Sequence, residues 1–361
     1  MVLTMEPPVL DGFTLPLKRT LPLKRKEEKE ELVGRTGVVG FGAYVPDRVV
    51  SNTEVGRPAG VDDAWIMRKT AIEERRWVAS EEATSDLALA AAKAALRDSG
   101  LTGDDVDLVV VATSTPDYPQ PPTAALVQAG LGARNAAAYD VNAVCSGFEF
   151  ALNTTSELVA ATDGTALVIG ADVYSRIIDP TDRRTAILFG DGAGAVLLQP
   201  AHRIAGRSHT MVAGKMLTIG EYSDVIRVPG GGSRLPLVDH SIAADSCYFQ
   251  MQGRRVREFV IERVPGIVHR FLDEVGVDMK DVSHFVPHQA NGVMLTELFD
   301  ALGLPNATQH LTVGRLGNTG AASIPITLAQ LSRSGEVQAG DLILLAAFGG
   351  GMSVGLTLMQ W

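Results

Sequence analysis

The chain echoes itself. The passage AALRDSGLTGDDVDLVVVATS, from Ala94 to Ser114, lines up with HRFLDEVGVDMKDVSHFVPHQA, from His269 to Ala290, at a constant offset of 176. At that offset Gly100 meets Gly276, and Asp105-Val106 meets Asp281-Val282. The run GTALVIGA, Gly164 to Ala171, falls at the same offset on GDLILLAA, Gly340 to Ala347. Two separated segments that share one offset point to a duplicated domain. From Arg35 onward apolar strand-like runs alternate with helical stretches, the pattern of a layered α/β fold. The expectation is two like halves, 35–205 and 206–361, with functional residues at their junction. There the carboxyl ends of strands, loops and helix N-termini converge.

Residues 1–34 stand outside this scheme. They hold LPLKR twice, at 15–19 and 21–25, and then the charge run KRKEEKEE. Such a run stays solvated, so the segment reads as a disordered leader or an artificial tail rather than a binding arm.

Composition narrows the function. The formal charge of −10 argues against a general nucleic-acid binder, which needs a basic face. No apolar run approaches the roughly 18 to 20 residues that span a bilayer, and the N-terminus lacks the apolar stretch of a signal peptide. A cytoplasmic protein is expected. With two cysteines, Cys145 and Cys247, neither a disulfide framework nor a cysteine-rich metal site can be built.

Cys145 sits where an apolar strand-like run gives way to a helical pattern near Ser146. At a helix N-terminus a thiol meets the positive end of the dipole and free N–H groups, which favour the thiolate. Taken alone, a cysteine among small apolar residues is more usually inert core. His288, at the end of the strand-like run HFVPH, is placed for proton handling or for a structural role. Asn318, in the glycine-flanked turn of RLGNTGAAS, reads by default as a helix cap. By the 176 offset its helix start matches the region of Cys145, so the halves present paired helix N-termini to each other. The glycines of FGGGMSVG, from Phe348, would let a backbone N–H approach a reacting carbonyl. FGDGAGAVLL and GFGAYVP lack the strand-GxGxxG-helix setting of a dinucleotide loop, and that reading is rejected.

Eight blocks in order make the sequence recognisable: GxGxYxPxxxxxN at 40–52, DxW at 63–65, DVNAVCSGF at 140–148, DPTDR at 179–183, FGDGAGA at 189–195, VPHQAN at 286–291, GNTGAASIP at 317–325 and FGGG at 348–351. From Thr36 to Trp361 the chain resembles β-ketoacyl-acyl carrier protein synthase III. The resemblance implies a thiolase-like fold of duplicated αβαβα halves and a catalytic set of Cys145, His288 and Asn318.

In that family Cys145 would take an acyl group from acyl-CoA, with its own N–H and that of Gly350 as the oxyanion hole. His288 and Asn318 would then hold the thioester oxygen of malonyl-acyl carrier protein while decarboxylation builds an enolate. No metal or redox cofactor is implied. Trp65 and Arg183 would sandwich the adenine of CoA, Phe189 would gate the pocket, and Asn291 would hold the pantetheine arm or cap the next helix. A homodimer is also implied, in which a loop of one subunit shapes the other's pocket.

The sequence departs from the family at several points. Lys69 stands where arginine is common, and Val293 replaces an arginine after HQAN, while Arg254, Arg255 and Arg257 form a basic cluster nearby. That cluster reads either as a carrier-protein dock or as a solvated helix face. Gln120 stands where phenylalanine often limits the acyl pocket, which points to a different starter. Two functions stay open on these grounds: condensation, or transfer of the acyl group from cysteine to a hydroxyl or amine. The intact Asn318 favours condensation.

Overall fold

The computed structural model describes residues 35–204, 209–238 and 243–361. The expected leader 1–34 and the expected boundary at 205/206 both lie outside them.

Ten strands form one sheet: β1 Thr36–Tyr44, β2 Leu108–Ala112, β3 Ala137–Val141, β4 Ala166–Val173, β5 Asp191–Pro200, β6 His209–Thr218, β7 Val282–Pro287, β8 Thr308–Gln309, β9 Leu342–Gly349 and β10 Ser353–Gln360. Their order is β8-β7-β9-β10-β6-β1-β5-β4-β2-β3. Read outward from the middle, each side repeats the other with five added to every strand number. The sides meet where β1 runs antiparallel to β6, through Gly37↔Thr210 and Val38↔His209.

Strand patterning decides the layers. In β2, Val109 and Val111 face one apolar cluster while Val110 and Ala112 face another. In β4, Leu167 and Ile169 share the first cluster, and Ala166 and Val168 the second. Burial on both faces is why these strands read as continuous apolar runs. The first cluster lies under α1 (Thr84–Ser99), which packs on β1, β4 and β5. The second surrounds α2 (Gly147–Thr162) and is shared between the halves. A further helix, α3 (Gly253–Val275), is the second half's counterpart of α1.

The central helix α2 touches β2, β4 and β5 of the first half and β6, β9 and β10 of the second. Its counterpart α4 (Ser323–Ser334) touches β1, β4 and β5 on one side and β7 on the other. Both central helices therefore bring their N-termini to the junction. The echoed glycines have a local cause: Gly100 ends α1 and Gly276 ends α3, each left-handed at φ 73, where a Cβ would be strained. Among the described residues no helix is long and apolar enough to cross a membrane.

Candidate active site

Strand β3 ends at Val141, and Asn142 Oδ1 then accepts the Val144 N–H at 3.1 Å. Val144 bends left-handed at φ 50, which opens a single 3-10 turn, Val144–Ser146, ahead of α2. This sharp bend places Cys145 at the entrance of the central helix, only 7% exposed. Ser146 Oγ ties the turn to the Ser353 carbonyl at 2.9 Å. Close approach on the other side depends on Gly349, because a Cβ there would lie 2.9 Å from both Cys145 Cβ and Cys145 N. Gly350 packs one residue further on, against Val144.

The thiol does not behave as the helix position led one to expect. Burial pushes Cys145 up to about 12, and the neighbouring Asp172 carboxylate adds to the rise. A sulfur with almost no water contact loses more as a thiolate than the helix start returns. Its polar neighbour is the Tyr174 hydroxyl, at 4.0 Å.

His288 follows directly on β7. Its N–H donates to the Ala346 carbonyl at 2.8 Å, and its Nδ1 lies 2.8 Å from Ser323 Oγ, the first residue of α4. Its ring meets Phe348 edge to face at 5.5 Å. Burial lowers the ring to about 3 against one favourable hydrogen bond to the Gly320 backbone, so His288 is neutral at neutral pH. Asn318 Oδ1 accepts from Gly320 N–H at 2.9 Å, and its own N–H donates to the Leu188 carbonyl at 2.8 Å. Gly320 therefore contacts both side chains, and the amide Nδ2 of Asn318 has no protein partner among the described residues. Asn318 is a turn cap with a donor to spare.

Other expected residues fall unevenly. Phe189 is buried, stacked on Tyr174 at 4.5 Å and edge-on to Phe249 at 4.9 Å, and bridges to Asn318. A cavity of about 490 Å³, bordered by Asp182, Asp224 and Phe249, therefore lies one aromatic layer from this ring pair. Trp65 is half-buried on the helix Asp63–Thr70, and Lys69 and Arg183 are exposed. Asn291 takes the capping alternative: Oδ1 accepts from Met294 N–H at 3.1 Å, and Nδ2 donates to the Lys69 carbonyl at 3.1 Å. Gln120 is exposed and has no side-chain hydrogen bond among the described residues.

The basic cluster is largely neutralised. Arg255 pairs with Asp224 at 2.9 Å and lies over the Tyr222 ring, and Arg257 pairs with Glu297. Arg254 is the member without a carboxylate among the described residues. Sequence reasoning missed Gly349, Ser323, Tyr174 and Asp172. Gly349 and Ser323 lie within the FGGG and GNTGAASIP blocks, while Tyr174 and Asp172 lie outside all eight.

A buried cysteine at a helix entrance, with a neutral histidine and an asparagine joined through one turn, defines a condensing enzyme of the thiolase fold. Comparison with known proteins makes the family specific. Family models described as 3-oxoacyl-[acyl-carrier-protein (ACP)] synthase III and its C-terminal part match residues 139–216 and 272–361. The acetoacetyl CoA synthase NphT7 of Streptomyces sp. (strain CL190) is 56% identical over 91% of this chain and 99% of its own length. The β-ketoacyl-[acyl-carrier-protein] synthase III of Rhodobacter capsulatus is 42% identical over 91% and 99%. Among solved structures, the synthase III of Pseudomonas aeruginosa PAO1 superposes with a TM-score of 0.81 at 36% identity, covering 91% of this chain and 98% of that one. The priming β-ketosynthase of the R1128 polyketide pathway gives 0.82 at 30% identity, covering 92% and 98%. The chain belongs to the β-ketoacyl-[acyl-carrier-protein] synthase III family and is a condensing enzyme.

Proposed function

We propose that Cys145 takes the acyl group from acyl-CoA and that His288 and Asn318 serve the second half-reaction, decarboxylative condensation with a malonyl thioester. The observation that supports these roles most is the shared Gly320 turn, which keeps a neutral imidazole and a free amide donor together beside the entrance of α4. Cys145 Sγ attacks the thioester carbonyl and CoA leaves as the thiol, with the N–H groups of Cys145 and Gly350 receiving the oxyanion. The malonyl unit then loses CO₂. Its enolate oxygen is held by His288 and Asn318, and its carbon attacks the acyl-cysteine, releasing a β-ketoacyl thioester and restoring Cys145. A neutral imidazole suits this step in the tautomer that takes the Ser323 Oγ hydrogen bond at Nδ1 and keeps its single N–H at Nε2 for the enolate oxygen. Transfer to a hydroxyl or amine would leave the Asn318 donor without a task.

The test separates the half-reactions. Intact-mass and peptide mapping after exposure to acetyl-CoA should place the adduct on Cys145 and show none in Cys145→Ala. His288→Ala and Asn318→Ala should still acylate but lose CO₂ release from the malonyl thioester. An adduct on Cys247, or Asn318→Ala that decarboxylates normally, would overturn the assignment.

The extender is a finer matter, and here malonyl-CoA is favoured over malonyl-acyl carrier protein. Carboxylates on two of the three arginines leave little net charge for an acidic carrier. A 56% identical relative carries CoA, not a carrier protein, in the name of its product. Rates with the two malonyl thioesters, and with Arg254→Glu, discriminate: a carrier-dependent enzyme would prefer the carrier and lose that preference in the variant. The exposed loop of Tyr118 and Gln120 supports a homodimer in which Gln120 acts at the partner's pocket.

A further inference from the structure

The proposed mechanism leaves one question open: where the Cys145 proton goes when the sulfur attacks. A file of hydroxyl groups leads away from it. Sγ lies 4.0 Å from Tyr174 Oη, Tyr174 Oη lies 3.0 Å from Ser114 Oγ, and Ser114 Oγ lies 3.1 Å from Asp172 Oδ1. We infer that Tyr174 and Ser114 conduct the thiol proton to the Asp172 carboxylate, which acts as the base of the acylation half-reaction.

The donors and acceptors along this file run in one sense. The thiol donates to the phenol oxygen, the phenol to the serine oxygen, and the serine to the carboxylate. No member needs two protons at once. Asp172 is completely buried yet prepared to be an anion, since Ser114 N–H at 2.8 Å, Thr113 Oγ1 and Thr115 Oγ1 at 3.2 Å, and Ala321 N–H at 2.8 Å all donate to it. Around it the titratable groups are Cys145 and Tyr174, and the other neighbours are neutral donors.

Relative basicity also favours Asp172. Burial raises its carboxyl to about 6, whereas burial lowers His288 to about 3. At neutral pH both are unprotonated, and the carboxylate is the stronger base of the two. The Sγ–O separation exceeds a tight hydrogen bond, as is common before a substrate closes a site. The step balances: S–H breaks as the bond from sulfur to the acyl carbon forms, and the proton held at Asp172 returns through Ser114 to Tyr174, whose hydroxyl then donates to the leaving CoA sulfur in place of the acylated Cys145. Tyr174 keeps its place by stacking on Phe189 and meeting Phe249 edge-on at 5.7 Å, so removing only its hydroxyl should leave the ring seated.

This inference rests on Cys145 being the nucleophile. The experiment follows acetylation by acetyl-CoA, and alkylation by iodoacetamide, as functions of pH in the full-length protein. Tyr174→Phe should slow acetylation by roughly a hundredfold and displace the acid limb of the alkylation profile. Ser114→Ala should do the same, and the double variant should be no slower than the slower single one, since both break one path. Condensation by enzyme loaded with acetyl beforehand should lose far less. Tyr174→Phe within twofold of wild type, with an unmoved pH profile, would overturn the relay, as would a normal Ser114→Ala. Acetylation that survives Cys145→Ala would overturn the nucleophile instead, so the two failures are distinct.

Discussion

Residues 142–147 and 318–323 build one turn twice, and the differences between the copies locate the chemistry. In the first, Asn142 Oδ1 accepts from Val144 N–H at 3.1 Å and Ser146 N–H donates to the Ala143 carbonyl at 3.1 Å. In the second, Asn318 Oδ1 accepts from Gly320 N–H at 2.9 Å and Ala322 N–H donates to the Thr319 carbonyl at 3.1 Å. Both bends are left-handed, at φ 50 and φ 59. The second copy meets this demand with glycine, but the first imposes it on a β-branched valine. Cys145 occupies the place that Ala321 holds in the other copy. The nucleophile's turn is therefore the strained one, and the turn beside His288 is the relaxed one.

The strongest attempt to break this comparison moves the nucleophile. In Cys145→Ala carrying Ala321→Cys, the backbone setting of the thiol is nearly reproduced. Ala321 is 1% exposed, however, its N–H is committed to Asp172, and a residue placed at Gly147 would have its Cβ 3.6 Å away. The glycine that closes on this copy, Gly170, approaches the Ala321 carbonyl, where an added Cβ would lie 2.3 Å away, and not the side chain. Intact mass should show no acyl adduct, with acylation down by at least roughly a thousandfold. Restored acylation would mean that the turn alone makes the nucleophile.

A comparable effect, on stability, comes from the next turn of each helix, where the position of Glu149 is held in the other copy by Pro325, which cannot ionise. Glu149 is completely buried, accepts from Thr357 Oγ1 at one oxygen and has no partner at the other. Burial raises it from 4.5 to about 8. A carboxyl that holds its proton more tightly folded than unfolded destabilises the fold progressively above pH 4.5, and fully above pH 8. Glu149→Gln should thus match wild type near and below pH 4.5 and gain up to about 5 kcal/mol above pH 8. Denaturation at both pH values checks this, and an equal gain at both would point to packing instead.

The smallest effect sharpens the strain argument. Left-handed backbone costs a residue with a Cβ roughly 1–2 kcal/mol, and glycine forfeits about 0.5–1 kcal/mol of chain entropy. Val144→Gly should consequently gain about 0.5 kcal/mol while slowing acylation. A loss of stability would show that the Val144 side chain, which packs at Gly350, outweighs the bend.

Much of this was legible in the sequence because alternation is a local property and duplication shows as one repeated offset. The strands at 108–112 and 282–287, the glycine caps and the junction of helix starts follow from residues within a few positions of one another. What escaped depends on distance along the chain. Tyr174 lies 29 residues from Cys145, and Asp172 reaches the backbone of Ala321 across 149. Arg257 reads as a free cation until Glu297, 40 residues on, is placed beside it. The thiol's helix-start setting was readable, but the burial that reverses its pKa was not. For Asn291 the sequence left a pantetheine contact and a helix cap side by side, and only the fold shows the cap bond to Met294 N–H.

Asp172 belongs to the first half, yet one of its oxygens holds the Ala321 N–H of the second. That single carboxylate makes the two copies hereditary dependants of each other. A substitution at 172 disturbs the neighbour of the nucleophile and the turn that carries Asn318 together, so neither copy can drift while the other waits. Suppressor mutations that rescue a weakened Asp172 variant should therefore map to 318–323 in the opposite half as readily as to 113–115 in its own.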